Sequence, residues 1–132
     1  MRLLIVVEWP KGSRVRWEWN GARFARRLED VPAPVNYGFI PNSHNPADQS
    51  EVDAVLLGLP VPAGKRVEAE LVGAVLLADG DHKLILDPRG EPPSPEEATA
   101  LKAWFPAARK PRLLSPAEAE ALARAMLKNG GR

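Results

Sequence analysis

The amino-acid sequence predicts a mainly β protein with two helices, in which a small β-barrel precedes the helices. Two observations predict this class. The first two thirds of the chain carry short strand-like segments, among which Arg14–Asn20 alternates most clearly between apolar and polar residues, whereas the last third carries two helix-start signals. The predicted strands are Leu3–Glu8, Arg14–Asn20, Arg23–Leu28, Val52–Leu57, Arg66–Leu77 and His82–Asp87.

Two dipeptides predict tight hairpins between strands. Asn20-Gly21 follows the most regular alternation, in Arg14–Asn20, and Asp79-Gly80 separates the last two predicted strands. Asn-Gly and Asp-Gly favour the positive φ angles that two-residue hairpin turns require. We therefore expect each pair of flanking strands to be antiparallel neighbours.

Two serines begin the predicted helices. Ser94 and Ser115 are each followed by proline and, three residues later, by glutamate, which is the pattern of a capping box with proline in the first turn. The second helix is predicted to end before Asn129. With 132 residues, we expect one domain, with the barrel in 1–90 and the two helices in 91–132.

Composition excludes several classes of protein. The chain has no cysteine, which excludes disulfides, thiolate metal sites and cysteine nucleophiles. The apolar run Leu3–Val7 is too short for a membrane span or a signal peptide. A hydrophobic fraction of 45% is typical of a folded globular chain. We expect a cytoplasmic protein with no membrane partner.

The charges are segregated although they nearly cancel. The net charge is +1, from 18 basic and 17 acidic residues. Lys11–Arg27 is basic, whereas Leu28–Gly64 contains acids and no lysine or arginine. This pattern suits a site that holds an anion together with metal ions, but two solvated charged faces would produce it as well.

Asp53 is the candidate metal ligand that stands out. It lies in the apolar run Val52–Leu57, and no cation is present in the surrounding segment, so a metal ion is a suitable partner. Strand alternation directs Glu51 to the same side, and Asp48 lies just upstream. A hydrogen-bonded aspartate at a strand edge is the alternative.

Arginines on the predicted hairpin are candidate phosphate ligands. Arg14 and Arg16 share one face of their strand, and Arg27 lies on the paired strand. A solvent-facing hairpin with weak ion pairs is the alternative. Nucleic-acid binding would need Trp17 and Trp19 exposed beside these arginines. Because alternation directs the tryptophans to the opposite face, we expect them in the core and predict no nucleic-acid partner.

The segment Asp79-Gly80-Asp81-His82-Lys83 has two interpretations. Hairpin chemistry alone would explain it, with Asp81 and Lys83 as surface residues. Two carboxylates around a glycine, followed by a cation, would also suit a magnesium–phosphate site.

Several motifs, in order along the chain, resemble those of the soluble family I inorganic pyrophosphatases. They are Glu8-Trp9-Pro10-Lys11-Gly12-Ser13-Arg14, Trp17-Glu18, Asn36-Tyr37-Gly38-Phe39-Ile40-Pro41-Asn42, Val52-Asp53-Ala54-Val55-Leu56-Leu57-Gly58, Val72–Asp79 and Asp81-His82-Lys83-Leu84-Ile85. The resemblance implies an OB-like five-stranded barrel and Mg²⁺-dependent hydrolysis of pyrophosphate to two phosphates.

The resemblance also implies roles for individual residues. It implies metal ligands at Asp53, Asp79, Asp81 and Asp48, phosphate-binding cations at Arg16 and Arg27, phosphate-side hydrogen bonds from Tyr37 and Lys83, and supporting acids at Glu8 and Glu18. Pyrophosphate is the expected small-molecule substrate. Bacterial members of the family commonly form hexamers, so a homo-oligomer is a further expectation.

The sequence departs from the family pattern at the site. Ser50 stands where the family has the aspartate that resembles the general base, and Ala33 replaces a tyrosine. Glu51 is a candidate substitute base. The late tyrosine–lysine pair is absent, so Lys110 or Arg109 would supply its cation. The alternative hypothesis is therefore a weakened or inactive homologue that binds a phosphorylated ligand or a partner protein.

Overall fold

The barrel closes because the first strand of the chain pairs with strands on both of its sides. The computed structural model describes residues 1–47 and 49–130, with side chains described to residue 127. The elements are β1 (Arg2–Trp9), β2 (Val15–Trp19), β3 (Phe24–Leu28), β4 (Asn36–Asn45), β5 (Ser50–Leu56), β6 (Arg66–Leu76), β7 (Lys83–Asp87), α1 (Pro95–Trp104), a 3₁₀ turn (Ala107–Arg109), β8 (Arg112–Leu114) and α2 (Pro116–Gly130). The order β1-β4-β5-β7-β6 returns to β1, which confirms the five-stranded barrel.

The dipeptides Asn20-Gly21 and Asp79-Gly80 each lie at a turn between two antiparallel neighbouring strands. β2 pairs with β3 in a separate two-stranded sheet, and the Asn20 side chain accepts hydrogen bonds from two backbone amides of the turn. β6 pairs with β7 around Gly80, which has a φ of 81°. In contrast, β5 and β7 are parallel neighbours, because the chain between them crosses over through β6. Sequence patterns did not predict this parallel contact.

Two strands were missed from the sequence. β4 contains Asn36 and Gly38 and is followed closely by proline, so its local β propensity is low. Its position is set instead by pairing with β1 and β5. A side chain at Gly38 would collide with the backbone carbonyl of Val6, so glycine permits the close approach of β4 to β1. β8 has only three residues, and it extends the sheet beside β6.

Both predicted helices have the capping box that their sequences indicate. Ser94 Oγ accepts a hydrogen bond from the Glu97 amide, and the Glu97 carboxylate accepts one from the Ser94 amide. Ser115 and Glu118 repeat this exchange at the start of α2. The predicted end of α2 before Asn129 was wrong, because the helix continues to Gly130. No helix within the described ranges is both long and apolar enough to cross a membrane.

The central strands are covered on both faces, which explains their continuous apolar sequences. Val52, Ala54 and Leu56 belong to an aliphatic core that includes Ala119 and Ala123 of α2. Alternate residues of the same strands face an aromatic core against α1. The buried residues of that second core include Trp9, Tyr37, Val55, Ile85, Leu101 and Phe105. Strand alternation places Asp53 and Lys83 on the side of this aromatic core.

The expectation that the tryptophans are core residues holds only in part. Trp9 is buried, whereas Trp17 is 38% exposed. Trp17 lies in the middle of β2, and the β2–β3 hairpin forms a sheet separate from the barrel sheet, which leaves this side chain partly exposed. Trp19, at the end of the same strand, packs on Phe24 and Phe39.

Candidate functional site

A buried lysine joins two of the predicted metal-ligand carboxylates. Lys83 Nζ lies 2.6 Å from Asp53 Oδ2 and 2.9 Å from Asp81 Oδ2, and its side chain is 3% exposed. The parallel pairing of β5 with β7 brings Lys83 beside Asp53. Asp53 therefore has a cationic partner that its own segment, which contains no lysine or arginine, did not indicate, because the cation comes from a strand that is distant in sequence. The interpretation of Lys83 as a surface residue was wrong for the same reason. We call Lys83, Asp53 and Asp81 the lysine cluster.

Arg109 connects the lysine cluster to Asp79. Its Nε lies 2.8 Å from Asp79 Oδ2, and a terminal nitrogen lies 3.6 Å from Asp81 Oδ2. The guanidinium holds the pKa of Asp79 below its ordinary value, with a smaller contribution from the Asp81 amide. Of the two cations considered for this position, the structure places Arg109 on the carboxylates, whereas the side chain of Lys110 is exposed.

Asn45 is a site residue that sequence reasoning missed. Its Nδ2 donates a hydrogen bond of 3.0 Å to Asp81 Oδ1, and the residue is 4% exposed. It ends β4, the strand that was not predicted. A buried asparagine next to a proline gives no sequence signal that separates it from an ordinary turn residue.

Across the site, Arg16 lies among aromatic rings and acids. Its Nε is 3.3 Å from Glu8 Oε2, and its guanidinium carbon lies 5.0 Å from the Tyr37 ring centroid and 5.6 Å from that of Trp9. Lys83 Nζ lies 5.9 Å from the same tyrosine ring. Tyr37 therefore stands between the two cations and contributes a cation–π contact to each.

Burial changes the proton affinity of two groups here. Desolvation raises the pKa of Glu8 to about 7, against the opposing influence of Arg16. Desolvation also raises the pKa of Tyr37 well above its ordinary value, and the nearby charge of Asp53 adds to this increase. The Tyr37 hydroxyl thus keeps its proton and can act as a hydrogen-bond donor.

A second set of ion pairs lies on the β2–β3 hairpin. Glu18 Oε2 lies 3.1 Å from Arg27 and 3.6 Å from Arg16, and Glu29 Oε1 lies 2.9 Å from Arg27 Nε. The Arg27 side chain is 54% exposed. We call Arg16, Arg27, Glu18 and Glu29 the arginine cluster.

One small polar cavity receives side chains from both clusters. Its volume is about 160 Å³, and its lining includes Asp53, Arg16 and Glu18. Glu51 and Ser50 line it as well, and Ser50 Oγ donates a hydrogen bond of 3.2 Å to Glu51 Oε1. Arg16, a predicted anion-binding residue, and Asp53, a predicted metal ligand, thus meet at one place.

The carboxylates are suitable in type for a hard divalent cation. Asp53 and Asp81 already converge on one positive charge, that of Lys83. Within residues 1–47 and 49–130, however, no group of three acidic or histidine side chains is arranged to hold a metal ion. Asp48, the fourth predicted ligand, lies outside the described residues.

Comparison with known proteins identifies the family. A family model described as inorganic pyrophosphatase matches residues 5–110. The chain is 36% identical over 93 residues to an inorganic pyrophosphatase of Haemophilus influenzae, across 64% of this chain and 52% of that protein. It is 35% identical over 95 residues to an inorganic pyrophosphatase of Helicobacter pylori, across 65% of this chain and 54% of that protein.

Solved structures show the same fold. An inorganic pyrophosphatase from Helicobacter pylori superposes with a TM-score of 0.82 at 24% identity, covering 99% of this chain and 94% of that chain. One from Thermus thermophilus gives a TM-score of 0.81 at 21% identity, covering 99% and 92%. In sequence, the chain spans about half the length of the curated relatives it matches. The match of the family model over most of the chain shows that it belongs to the inorganic pyrophosphatase family.

Proposed function

We propose that this protein hydrolyses inorganic pyrophosphate to two phosphates in a Mg²⁺-dependent reaction, at an atypical site. The observation that carries the proposal is the polar cavity, where Asp53 from the lysine cluster faces Arg16 and Glu18 from the arginine cluster. Hydrolysis of a phosphoanhydride requires groups for both the anion and its counter-ions, and the two clusters supply them.

Asp53, Asp79 and Asp81, with Asp48, would hold the Mg²⁺ ions. When bound, Mg²⁺ would neutralise charge on the diphosphate and favour deprotonation of a water molecule. Lys83 and Arg109 now hold these carboxylates close together by ion pairs. With Mg²⁺ bound to the carboxylates, the positive charges of Lys83 and Arg109 would be available to the phosphate oxygens.

Arg16, Arg27 and Lys83 would bind the diphosphate. Guanidinium groups suit phosphate oxygens because they donate two parallel hydrogen bonds. Glu8, whose pKa is about 7, is partly protonated at neutral pH, so it neutralises Arg16 only in part. Tyr37 keeps its hydroxyl proton and would donate it in a hydrogen bond to one phosphate.

Glu51 is the proposed base for the attacking water. It lines the polar cavity with Asp53, and Ser50 beside it stands where the family pattern has an aspartate. The hydrogen bond from Ser50 Oγ orients the Glu51 carboxylate. Glu51→Gln should then lower kcat by about 10²-fold or more while KM changes little.

The direct test is phosphate release from pyrophosphate by the purified protein at millimolar Mg²⁺. We expect turnover that Asp53→Asn reduces at least about a hundredfold. Asp30→Asn, an exposed acid outside the site, is the matched control and should keep full activity. Absence of phosphate release above background in the unmodified protein would overturn the proposal.

A second candidate function is binding without turnover, in a homologue that retains the barrel. Ser50 and Ala33 in place of the family's aspartate and tyrosine favour it. Titration calorimetry separates the two functions: metal-dependent binding of pyrophosphate without phosphate release supports this one.

Assembly, domain organisation and location remain predictions. A homo-oligomer is testable by light scattering of the purified protein. The single domain, with the barrel in 1–90 and the helices in 91–132, predicts one cooperative unfolding transition. The pairing of β8 with β6 is consistent with such a unit. A cytoplasmic location is testable by cell fractionation.

A further inference from the structure

A second, larger cavity lies next to the polar cavity. Its volume is about 360 Å³, which is within the range of small-molecule pockets. Trp19, Phe24 and Phe39 form an aromatic wall along it. Trp19 and Phe39 are nearly parallel, with centroids 6.0 Å apart and an angle of 12° between their planes. Phe24 lies 5.0 Å from Trp19. A flat ring can stack on such a wall.

The two cavities share three side chains. Trp19, Phe39 and Glu51 line both the polar and the aromatic cavity. Because β4 pairs Phe39 with Asp53 of β5, the aromatic wall begins directly beside the lysine cluster. A group attached to a diphosphate in the polar cavity would therefore extend along Trp19 and Phe39.

The second cavity also offers hydrogen-bonding groups. Asn42, Glu51 and Arg66 line it together with the aromatic rings. Among the residues whose side chains are described, Arg66 enters no ion pair, so its guanidinium is available to a ligand. A planar ring with polar edges, such as a nucleobase, matches both the rings and these groups. An aliphatic chain would match the rings alone.

We propose that the aromatic cavity is a subsite for the nucleoside of a nucleoside 5′-diphosphate whose two phosphates occupy the polar cavity. The proposal rests on the proposed function, because it places the diphosphate among the same cations. It extends the substrate class from pyrophosphate to diphosphates that carry a nucleoside.

Calorimetry with two non-hydrolysable probes tests this subsite at millimolar Mg²⁺. Adenosine 5′-(α,β-methylene)diphosphate and methylenediphosphonate share the diphosphonate unit and differ by the nucleoside. Stacking of one base predicts that the nucleoside probe binds about tenfold more tightly. Equal or weaker binding of the nucleoside probe would overturn the proposal. Equal enhancement by an alkyl-substituted diphosphonate of similar size would overturn the nucleobase assignment.

Two variants test whether the aromatic cavity causes the tighter binding of the nucleoside probe. Phe24→Ala should abolish the advantage of the nucleoside probe and leave methylenediphosphonate binding unchanged. Leu28→Ala is the control, since Leu28 lies on the same strand, is 64% exposed and lines neither cavity. Because Phe24→Ala removes a ring from the hairpin, the exposed Arg66→Ala serves as a second variant, and it should reduce the advantage about threefold. An advantage that persists in both variants contradicts the proposal.

The two proposals can fail separately. Phosphate release from pyrophosphate without a nucleoside advantage would leave the proposed function in place and remove the subsite. Tight binding of the nucleoside probe without phosphate release would support the subsite and overturn the hydrolytic function.

Discussion

The lysine cluster and the arginine cluster contribute to the same polar cavity, yet the Lys83 pairs of the first and the Arg27–Glu18 pair of the second differ greatly in exposure. Lys83 is 3% exposed and lies within 3 Å of two carboxylates, whereas Arg27 is 54% exposed and its partner Glu18 is 43% exposed. Burial makes each group of the lysine cluster depend on the others, because an unpaired charge there cannot be solvated. Water and salt can replace the partners of Arg27.

This difference suggests a division of roles. We expect the lysine cluster to support folding as well as the site, because the fold must keep its charges paired. The exposed Arg27–Glu18 pair of the arginine cluster should matter to the ligand and little to folding. Glu8 lies between these cases, since it is buried and its partner Arg16 is 19% exposed. Three predictions test the contrast, in order of decreasing effect on stability.

Lys83→Met should have the largest effect. It leaves Asp53 and Asp81 facing each other without the shared ammonium, and breaking a buried pair in this way costs about 3–5 kcal/mol. Urea unfolding in buffer with a metal chelator measures the free energy of unfolding. Lys102→Met, on the exposed side of α1, is the control and should change it by less than about 0.5 kcal/mol. A loss below about 1 kcal/mol for Lys83→Met would mean that the two clusters are equivalent.

The raised pKa of Glu8 should make the free energy of unfolding depend on pH, and the size of this effect should lie between those of the other two predictions. Its pKa rises from 4.5 to about 7 on folding. At a pH between these two values, the folded protein therefore keeps a proton on Glu8 that the unfolded chain has lost. Stability should therefore fall as pH rises from about 4.5 to about 7, by about 3 kcal/mol from this group. Metal-free urea unfolding across this range measures the effect. Glu8→Gln should remove this part of the pH dependence, and an unchanged profile in that variant would contradict the assignment.

Arg27→Ala should have the smallest effect on stability and a clear effect on binding. Exposed pairs contribute about 0–1 kcal/mol, and the difference from the unmodified protein should vanish in 1 M NaCl. KM for pyrophosphate should rise about tenfold, because a charge-assisted hydrogen bond to phosphate is lost. Arg89→Ala, 79% exposed and outside both clusters, is the control for both measurements. A stability loss that persists in high salt would show that Arg27 belongs with the buried cluster.

The sequence predicted those parts of the fold whose causes are local. Ser94 and Ser115 define helix starts through contacts within four residues, and Asn20-Gly21 and Asp79-Gly80 define turns in the same way. β4 was missed because its cause is not local. Asn36 and Gly38 disfavour a strand by themselves, but pairing with β1 on one side and β5 on the other holds them in one.

The candidate site shows the same limit. The resemblance named Asp53, Asp81, Lys83 and Arg16 as site residues. The structure places Asp53 and Arg16 in the lining of one cavity, and Lys83 joins Asp53 to Asp81 by ion pairs. The partner of Asp53 could not be predicted from its neighbours in sequence, however, because Lys83 lies 30 residues away along the chain. The contacts of Asn45 and Arg109 with Asp81 depend on how the end of β4 and the 3₁₀ turn approach this residue.

The sequence by itself therefore determined the β-barrel class, the hairpins, the helix starts and, through its motifs, the family. These features depend on residue type, periodicity and short-range hydrogen bonds, which can be read along the chain. Only the tertiary structure decided which charges are paired and which are buried. It brought β7 alongside β5 and left the β2–β3 hairpin outside the barrel sheet, so similar ion pairs became a buried cluster in one place and an exposed one in the other.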